Sequence, residues 1–100
     1  MEVRVVFRLV QSEDFRLWRK QQPVKVQTLV DARLDRLQNS GHWGFINRFD
    51  GIIELKWKSG LRVYTFIAEK TLVVILLGGN KNGQSKDIKK AKILLAGWFQ

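Results

Sequence analysis

The stretch from residue 52 to residue 79 constrains the fold most, because its apolar residues follow the period of β-strands. Ile53, Leu55 and Trp57 alternate with charged residues, which is typical of a strand that has one face in a core and the other in water. Residues 71–77 are apolar at almost every position. Such a run indicates a central strand that is buried on both faces.

The alternating segment and the segment after it are expected to form a hairpin with the loop Ser59-Gly60-Leu61. In that register Lys58 pairs with Arg62, and Lys56 pairs with Tyr64. Because the hydrophobic pattern fixes the register, one face of the hairpin gathers the polar side chains of Glu54, Lys56, Lys58, Arg62 and Tyr64. This face is the candidate functional site.

The first half of the chain predicts a strand followed by two helices. The alternation of Val3, Val5, Phe7 and Leu9 indicates the strand. Ser12 followed by two acidic residues is typical of a helix N-terminus. The second helix is expected to have Pro23 in its first turn and to end at residues 39–41, with an apolar stripe formed by Val26, Leu29, Val30, Leu34 and Leu37.

Other segments complete the expected topology. Residues 45–49 predict a short edge strand, and Gly78-Gly79 is expected to end the buried strand. The last helix has Ile88, Ala91, Leu95 and Trp98 on its apolar face and three lysines, at positions 86, 89 and 90, on a basic one. Arg33 and Arg36 lie off the stripe of the second helix, so they are expected to be solvated and paired with Asp31 or Asp35.

The charge balance favours an anionic or acidic partner. Eighteen basic and nine acidic residues give a net charge of +9 in a chain of 100 residues. A chain of this length predicts one domain, 1–100, with a shallow surface site.

The absence of cysteine and of a long apolar segment predicts a cytoplasmic protein with no membrane partner. His42 has no second histidine or cysteine beside it, so we expect neither a metal site nor a cofactor.

Three segments carry a resemblance to a known family. They are ARLDRL in the second helix, DGIIELKWKSGLRVY through the hairpin, and LLGGNKNGQSKDIKKAK after the buried strand. In this order and spacing the chain resembles the RelE/ParE superfamily of type II toxin-antitoxin toxins, and within it the HigB-like and phage-derived addiction module killer group. The resemblance implies an α+β fold with a strand, two helices, three antiparallel strands and a C-terminal helix.

The resemblance also implies a function and a partner. RelE-like members are endoribonucleases that cleave messenger RNA in the ribosomal decoding site without a metal, and a cognate antitoxin holds the toxin inactive. Such an antitoxin is expected to be encoded in the adjacent gene and to bind at exposed apolar positions such as Trp18, Trp43 or Trp98. Two alternatives stay open, a ParE-like inhibitor of DNA gyrase and a basic RNA-binding module without enzymatic activity.

The resemblance assigns candidate catalytic residues. The segment G-x-R-x-Y of the family matches Gly60, Arg62 and Tyr64, the preceding strand contributes Lys56 and Lys58, and the lysine after the Gly-Gly pair is Lys81. Arg62 suits the anionic phosphate of the transition state, because a guanidinium offers forked donors. Several RelE-like enzymes place a tyrosine near the C-terminus, and this chain has none after Tyr64.

These inferences combine into one expected architecture. We expect helices packed on one face of a mainly antiparallel sheet of four or five strands. The opposite face, which carries Arg62, is expected to stay open as a shallow basic concavity, and the sequence leaves open whether the helix from Lys86 onward lies over it or away from it.

Overall fold

The computed structural model describes residues 6–100, which form a five-stranded sheet flanked by helices. The elements in chain order are β1 (Arg8–Gln11), α1 (Glu13–Lys20), α2 (Val24–Ser40), β2 (Ile46–Phe49), β3 (Ile52–Lys56), β4 (Leu61–Glu69), β5 (Leu72–Asn80), a 3-10 turn (Lys81–Gly83) and α3 (Gln84–Trp98). The strand order is β1-β5-β4-β3-β2. β1 runs parallel to β5, and the other pairs are antiparallel. The predicted α+β class is confirmed, and β2 is the expected edge strand.

The N-terminal helices begin and end where local chemistry predicts. The Ser12 hydroxyl accepts a hydrogen bond from the Phe15 amide at 3.0 Å, which caps α1. Gly41 ends α2 in the left-handed conformation, with φ of 73°. The apolar stripe of α2 is narrower than expected, because Leu29 is exposed. Val3 and Val5 of the predicted first strand lie outside the described residues.

Helices cover both faces of the sheet, so the expectation of helices on one face only was wrong. On one face α1 and α2 bury a cluster that includes Phe15, Val30, Leu34, Leu37, Leu55, Val63, Val73 and Ile75. On the other face α3 covers Ile52, Tyr64, Phe66, Val74, Leu76 and Leu77. The reason lies in β5, whose alternate residues are apolar in both directions. Burying one such side chain contributes about 1.5–3 kcal/mol, so neither face is left in water.

The two glycines of β5 seat the two helical layers. The sequence predicted that β5 ends at these glycines. This prediction was wrong, because the strand continues to Asn80. A Cβ on Gly78 would lie 2.2 Å from the Trp18 ring, and a Cβ on Gly79 would lie 2.1 Å from the Asp87 carboxylate. Successive residues of a strand point to opposite faces, so each glycine admits a side chain from one layer.

The β3-β4 hairpin has a register that differs from the expected one by two residues. Lys56 pairs with Arg62, and Glu54 pairs with Tyr64. The Gly60 amide donates to the Trp57 carbonyl at 3.0 Å, and Gly60 has φ of 100°. Gly60 is therefore the last residue of a loop over 58–60, not the middle of a loop over 59–61. A shift of two residues keeps every side chain on its predicted face.

Arg33 has a structural role, which corrects its expected solvation. Its guanidinium donates hydrogen bonds to three backbone carbonyls, those of Trp43, Phe45 and Lys56. Asp31, its expected partner, instead forms an ion pair with Arg19. Arg33 thereby ties α2 to the segment before β2 and to the end of β3.

We expect Gly78→Ala to lower the free energy of unfolding by about 1–3 kcal/mol, because the new methyl group would overlap the rigid Trp18 ring. Gly97→Ala is the matched control, since a Cβ there meets nothing and removal of a helical glycine stabilises by roughly 0.5–1 kcal/mol. Urea denaturation of both variants checks the prediction. Equal midpoints for the two variants would contradict the seating of Trp18 on β5.

Candidate functional site

The candidate cations gather at the closed end of the β3-β4 hairpin. Lys56 and Arg62 are cross-strand partners, so their side chains share a face. Lys58 is exposed in the loop. The Lys81 amide donates to the Gly60 carbonyl at 2.7 Å, and its side-chain stem packs against Gly60. Within residues 6–100 the three lysines form no ion pair.

Arg62 is held in place from two sides. Its Nη1 donates to the carbonyls of Trp57 at 3.0 Å and Leu61 at 2.9 Å. Its Nε lies 3.8 Å from Oε2 of Glu54, and its side chain is 11% exposed. In the part of the chain that the structure describes, Nη2 makes no hydrogen bond. The guanidinium is therefore fixed with one nitrogen available, and the expected open concavity around it is wrong.

Glu54 is the acidic centre of this face. The residue is fully buried, and its Oε2 accepts a hydrogen bond from Gln84 Nε2 at 2.6 Å. Its Oε1 and the Nε of Arg62 have no hydrogen-bond partner within the described residues. Removing a carboxylate from water is costly unless a cation faces it. The positive charge of Arg62 therefore stabilises the buried Glu54 carboxylate, and Glu54 in turn positions the guanidinium.

Gln84 was missed by sequence reasoning. It is the first residue of α3, and nothing in the spacing between positions 54 and 84 indicates a contact. The contact arises because the 3-10 turn after β5 brings the start of α3 over the hairpin face.

Tyr64 lies beneath α3 and is fully buried. Burial raises the pKa of its hydroxyl, and the charges of Glu54 and Asp87 raise this pKa further. At neutral pH the hydroxyl is therefore protonated and is a poor proton acceptor. The buried ring also has no open face on which an RNA base could stack.

Other features of the described chain lie apart from this face. His42 is exposed in the loop after α2. Residues 6–100 contain no group of three or more histidine, aspartate or glutamate side chains that could hold a metal ion. A groove of about 530 Å³ lies between β1, α1 and α2, and none of the candidate site residues lines it. No helix within these residues is both long and apolar enough to cross a membrane.

The chain is similar to proteins already known by sequence or by structure. An uncharacterized protein from Haemophilus influenzae is 42% identical over 74 residues, which cover 71% of this chain and 74% of that protein. A chain of the RelBE2 toxin-antitoxin complex from Mycobacterium tuberculosis matches with a TM-score of 0.59 and 20% identity, over 76% of this chain and 99% of that chain. At this identity the structural likeness is one of fold. No family model matches the chain.

We expect Gln84→Ala to lower the free energy of unfolding by about 1.5–3 kcal/mol, because it removes the hydrogen bond to the buried Glu54 carboxylate. Ser85→Ala is the control, since Ser85 is exposed on the same turn of α3. Chemical denaturation measures both. If Gln84→Ala were as stable as Ser85→Ala, the carboxylate would not depend on Gln84.

Proposed function

We propose that this chain, which belongs to the same family as the Haemophilus influenzae protein and has a RelE-like fold, is the toxin of a type II toxin-antitoxin system. The sequence segments that resemble the HigB-like and addiction module killer group favour that group within the superfamily. Its activity is metal-independent cleavage of messenger RNA on cytoplasmic ribosomes. The observation that supports this activity most is the placement of Lys56 beside Arg62, with Lys58 and Lys81 at the same hairpin end. The three lysines of this cluster have no acidic partner within residues 6–100, and such cations attract a phosphate backbone.

Arg62 stabilises the anionic phosphate of the cleavage step. In that step the 2′-oxygen gives its proton to solvent and forms a bond to phosphorus, the phosphate gains negative charge, and the bond from phosphorus to the 5′-oxygen breaks as that oxygen takes a proton from solvent. A donor that is fixed before the reaction stabilises this charge without reorganising. Since Nη1 is bonded to two carbonyls, Nη2 is the donor that faces the phosphate. A forked contact would require Nη1 to release the hairpin loop.

The three lysines bind the neighbouring phosphates of the RNA. Lys58 and Lys81 are exposed, and Lys56 is half-buried beside Arg62. Tyr64 has no direct part in the chemistry that we propose, because it is buried and protonated. Its role is to pack β4 against α3.

We expect Arg62→Ala to reduce cleavage by about 10²- to 10³-fold, since a charge-stabilising donor is lost. Arg62→Lys should also be impaired, because lysine keeps the charge but cannot bond the loop carbonyls and the phosphate together. Lys89→Ala is the control, because Lys89 is exposed on α3. Each variant is induced in cells, and the 5′ ends of transcripts are mapped. New ends within translated codons are expected for the wild type and for Lys89→Ala.

Two results would contradict these assignments. Intact messages together with relaxed plasmid DNA in cells that express the wild type would indicate gyrase inhibition instead of RNA cleavage. An Arg62→Ala protein that is folded by circular dichroism and is still fully toxic at equal expression would remove Arg62 from the site.

The proposed partner is an acidic antitoxin that is encoded in the adjacent gene. Trp18 and Trp43 are half-buried against the core, so they are poor docking positions. Trp98 is 44% exposed and Phe99 is 66% exposed, and both rings contact Phe66 at the end of α3. This apolar end of a chain with net charge +9 suits an acidic amphipathic segment.

We expect co-expression of the neighbouring gene product to restore growth and to yield a complex on purification. Phe99→Asp should weaken that complex, since it puts a charge on the apolar end of α3, and should leave toxicity unchanged. Leu17→Asp, at an exposed apolar position of α1, is the control. Recovery of free toxin only, with toxicity unchanged by co-expression, would argue against this partner.

A further inference from the structure

Phe45 occupies the end of a row that crosses three strands of the sheet. Ile46 pairs with Leu55 at the start of β2, so Phe45 stands opposite Lys56. The Lys56 amide donates to the Phe45 carbonyl at 2.9 Å, which confirms this position. Lys56 in turn pairs with Arg62. An aromatic ring, an ammonium and a guanidinium therefore follow one another from strand to strand.

The three side chains lie on the same face. Lys56 Nζ is 4.9 Å from the centroid of the Phe45 ring. Adjacent strands are about 4.8 Å apart, so the backbone of Phe45 lies about 10 Å from that of Arg62. The Phe45 ring therefore lies one strand away from Lys56 and two strands away from Arg62.

The ring of Phe45 is exposed, although the backbone beneath it is fixed. Phe45 is 62% exposed, and it belongs to neither hydrophobic cluster of the described residues. Its carbonyl accepts a hydrogen bond from Arg33, whose guanidinium also stacks on Trp57 with 4.3 Å to the ring centroid. Gly44 has φ of 73°, and a Cβ there would lie 3.0 Å from Arg33 Nε. The backbone of Phe45 is thus held tightly while its ring stays in solvent.

We propose that Phe45 is a base-stacking residue for single-stranded RNA. A base stacks on the phenyl ring, while Lys56 and Arg62 hold the phosphates that follow. This inference rests on the proposed function and deepens it, because it names a residue that contacts a nucleobase. Stacking on an aromatic side chain tolerates any base, since every base has a π-face.

Lys56 has a second part in this arrangement. Its ammonium lies over the ring in the free protein, where an exposed cation–π contact is weak. An incoming base takes that position on the ring, and the ammonium moves to the phosphate of the same strand. The exchange keeps Lys56 paired with negative charge density in both states.

Binding of an uncleavable probe tests the proposal. The probe is a short fluorescein-labelled 2′-O-methyl RNA oligonucleotide, which lacks the nucleophilic hydroxyl, and a second probe has abasic residues in place of its bases. Fluorescence anisotropy gives the Kd for the wild type, Phe45→Ala, Phe45→Trp and Ile93→Ala. Ile93 is an exposed apolar residue on α3 and serves as the control.

We expect Phe45→Ala to weaken binding of the base-bearing probe by roughly 5- to 150-fold, the loss typical of one stacked base. Phe45→Trp and Ile93→Ala should bind that probe as well as the wild type does. The abasic probe should bind equally to the wild type and to Phe45→Ala. The slope of log Kd against log salt should be unchanged in Phe45→Ala and smaller by about one in Lys56→Ala.

Other outcomes would overturn the inference. If Phe45→Ala bound both probes like the wild type, Phe45 would not contact a nucleobase, and its contact with the Lys56 ammonium would be unrelated to RNA binding. If it weakened both probes equally, Phe45 would act through the local fold and not through a base. Either result leaves the proposed function intact as long as transcripts are still cleaved in cells. Loss of that cleavage, by contrast, is the failure of the proposed function itself.

Discussion

The apolar character of β5 on both of its faces is the constraint on which the rest of the structure depends. Val73 and Ile75 point one way, Val74 and Leu76 point the other way, and all four are buried. Domains of this size have a net stability of roughly 5–15 kcal/mol, so two exposed aliphatic side chains would remove a large share of it. The chain therefore needs a helical layer on each side, and α3 supplies the second layer.

The second layer determines the electrostatics of the candidate site. Because α3 lies over the hairpin face, Glu54 is out of contact with water, and its charge has to be matched from within the fold. Arg62 supplies the opposite charge, and Gln84 supplies a hydrogen bond. The same cover leaves Lys58 and Lys81 exposed at the end of the hairpin. A fixed guanidinium beside exposed ammonium groups is the result.

The sequence predicted correctly which side chains of the β3-β4 hairpin share a face, but it did not predict their cross-strand partners. Period-two alternation placed Lys56 and Arg62 together, because a shift of two residues between strands changes partners and keeps the face. The register itself depended on the backbone conformation of Gly60, which alternation does not report. The role of Arg33 depended on carbonyls from separate segments of the chain. The position of α3 follows from the burial of β5 on both faces, whereas the periodicity of α3 itself left open which face of the sheet it covers.

The pairing of β1 with β5 has a consequence for the order in which the chain folds. Ser12 donates from its hydroxyl to the Leu76 carbonyl at 2.6 Å and from its amide to the Ile75 carbonyl at 2.9 Å, across 64 positions of sequence for the first contact. During synthesis, β1 and α1 emerge before α2, β2, β3 and β4, and their partner strand β5 follows only after all of these elements. The β2-β3-β4 meander pairs only strands that are adjacent in sequence, so these pairings are free to form earlier. The native sheet is thus completed only after β5 has been translated, and until then the apolar side chains of α1 and α2 lack the central strand that covers them.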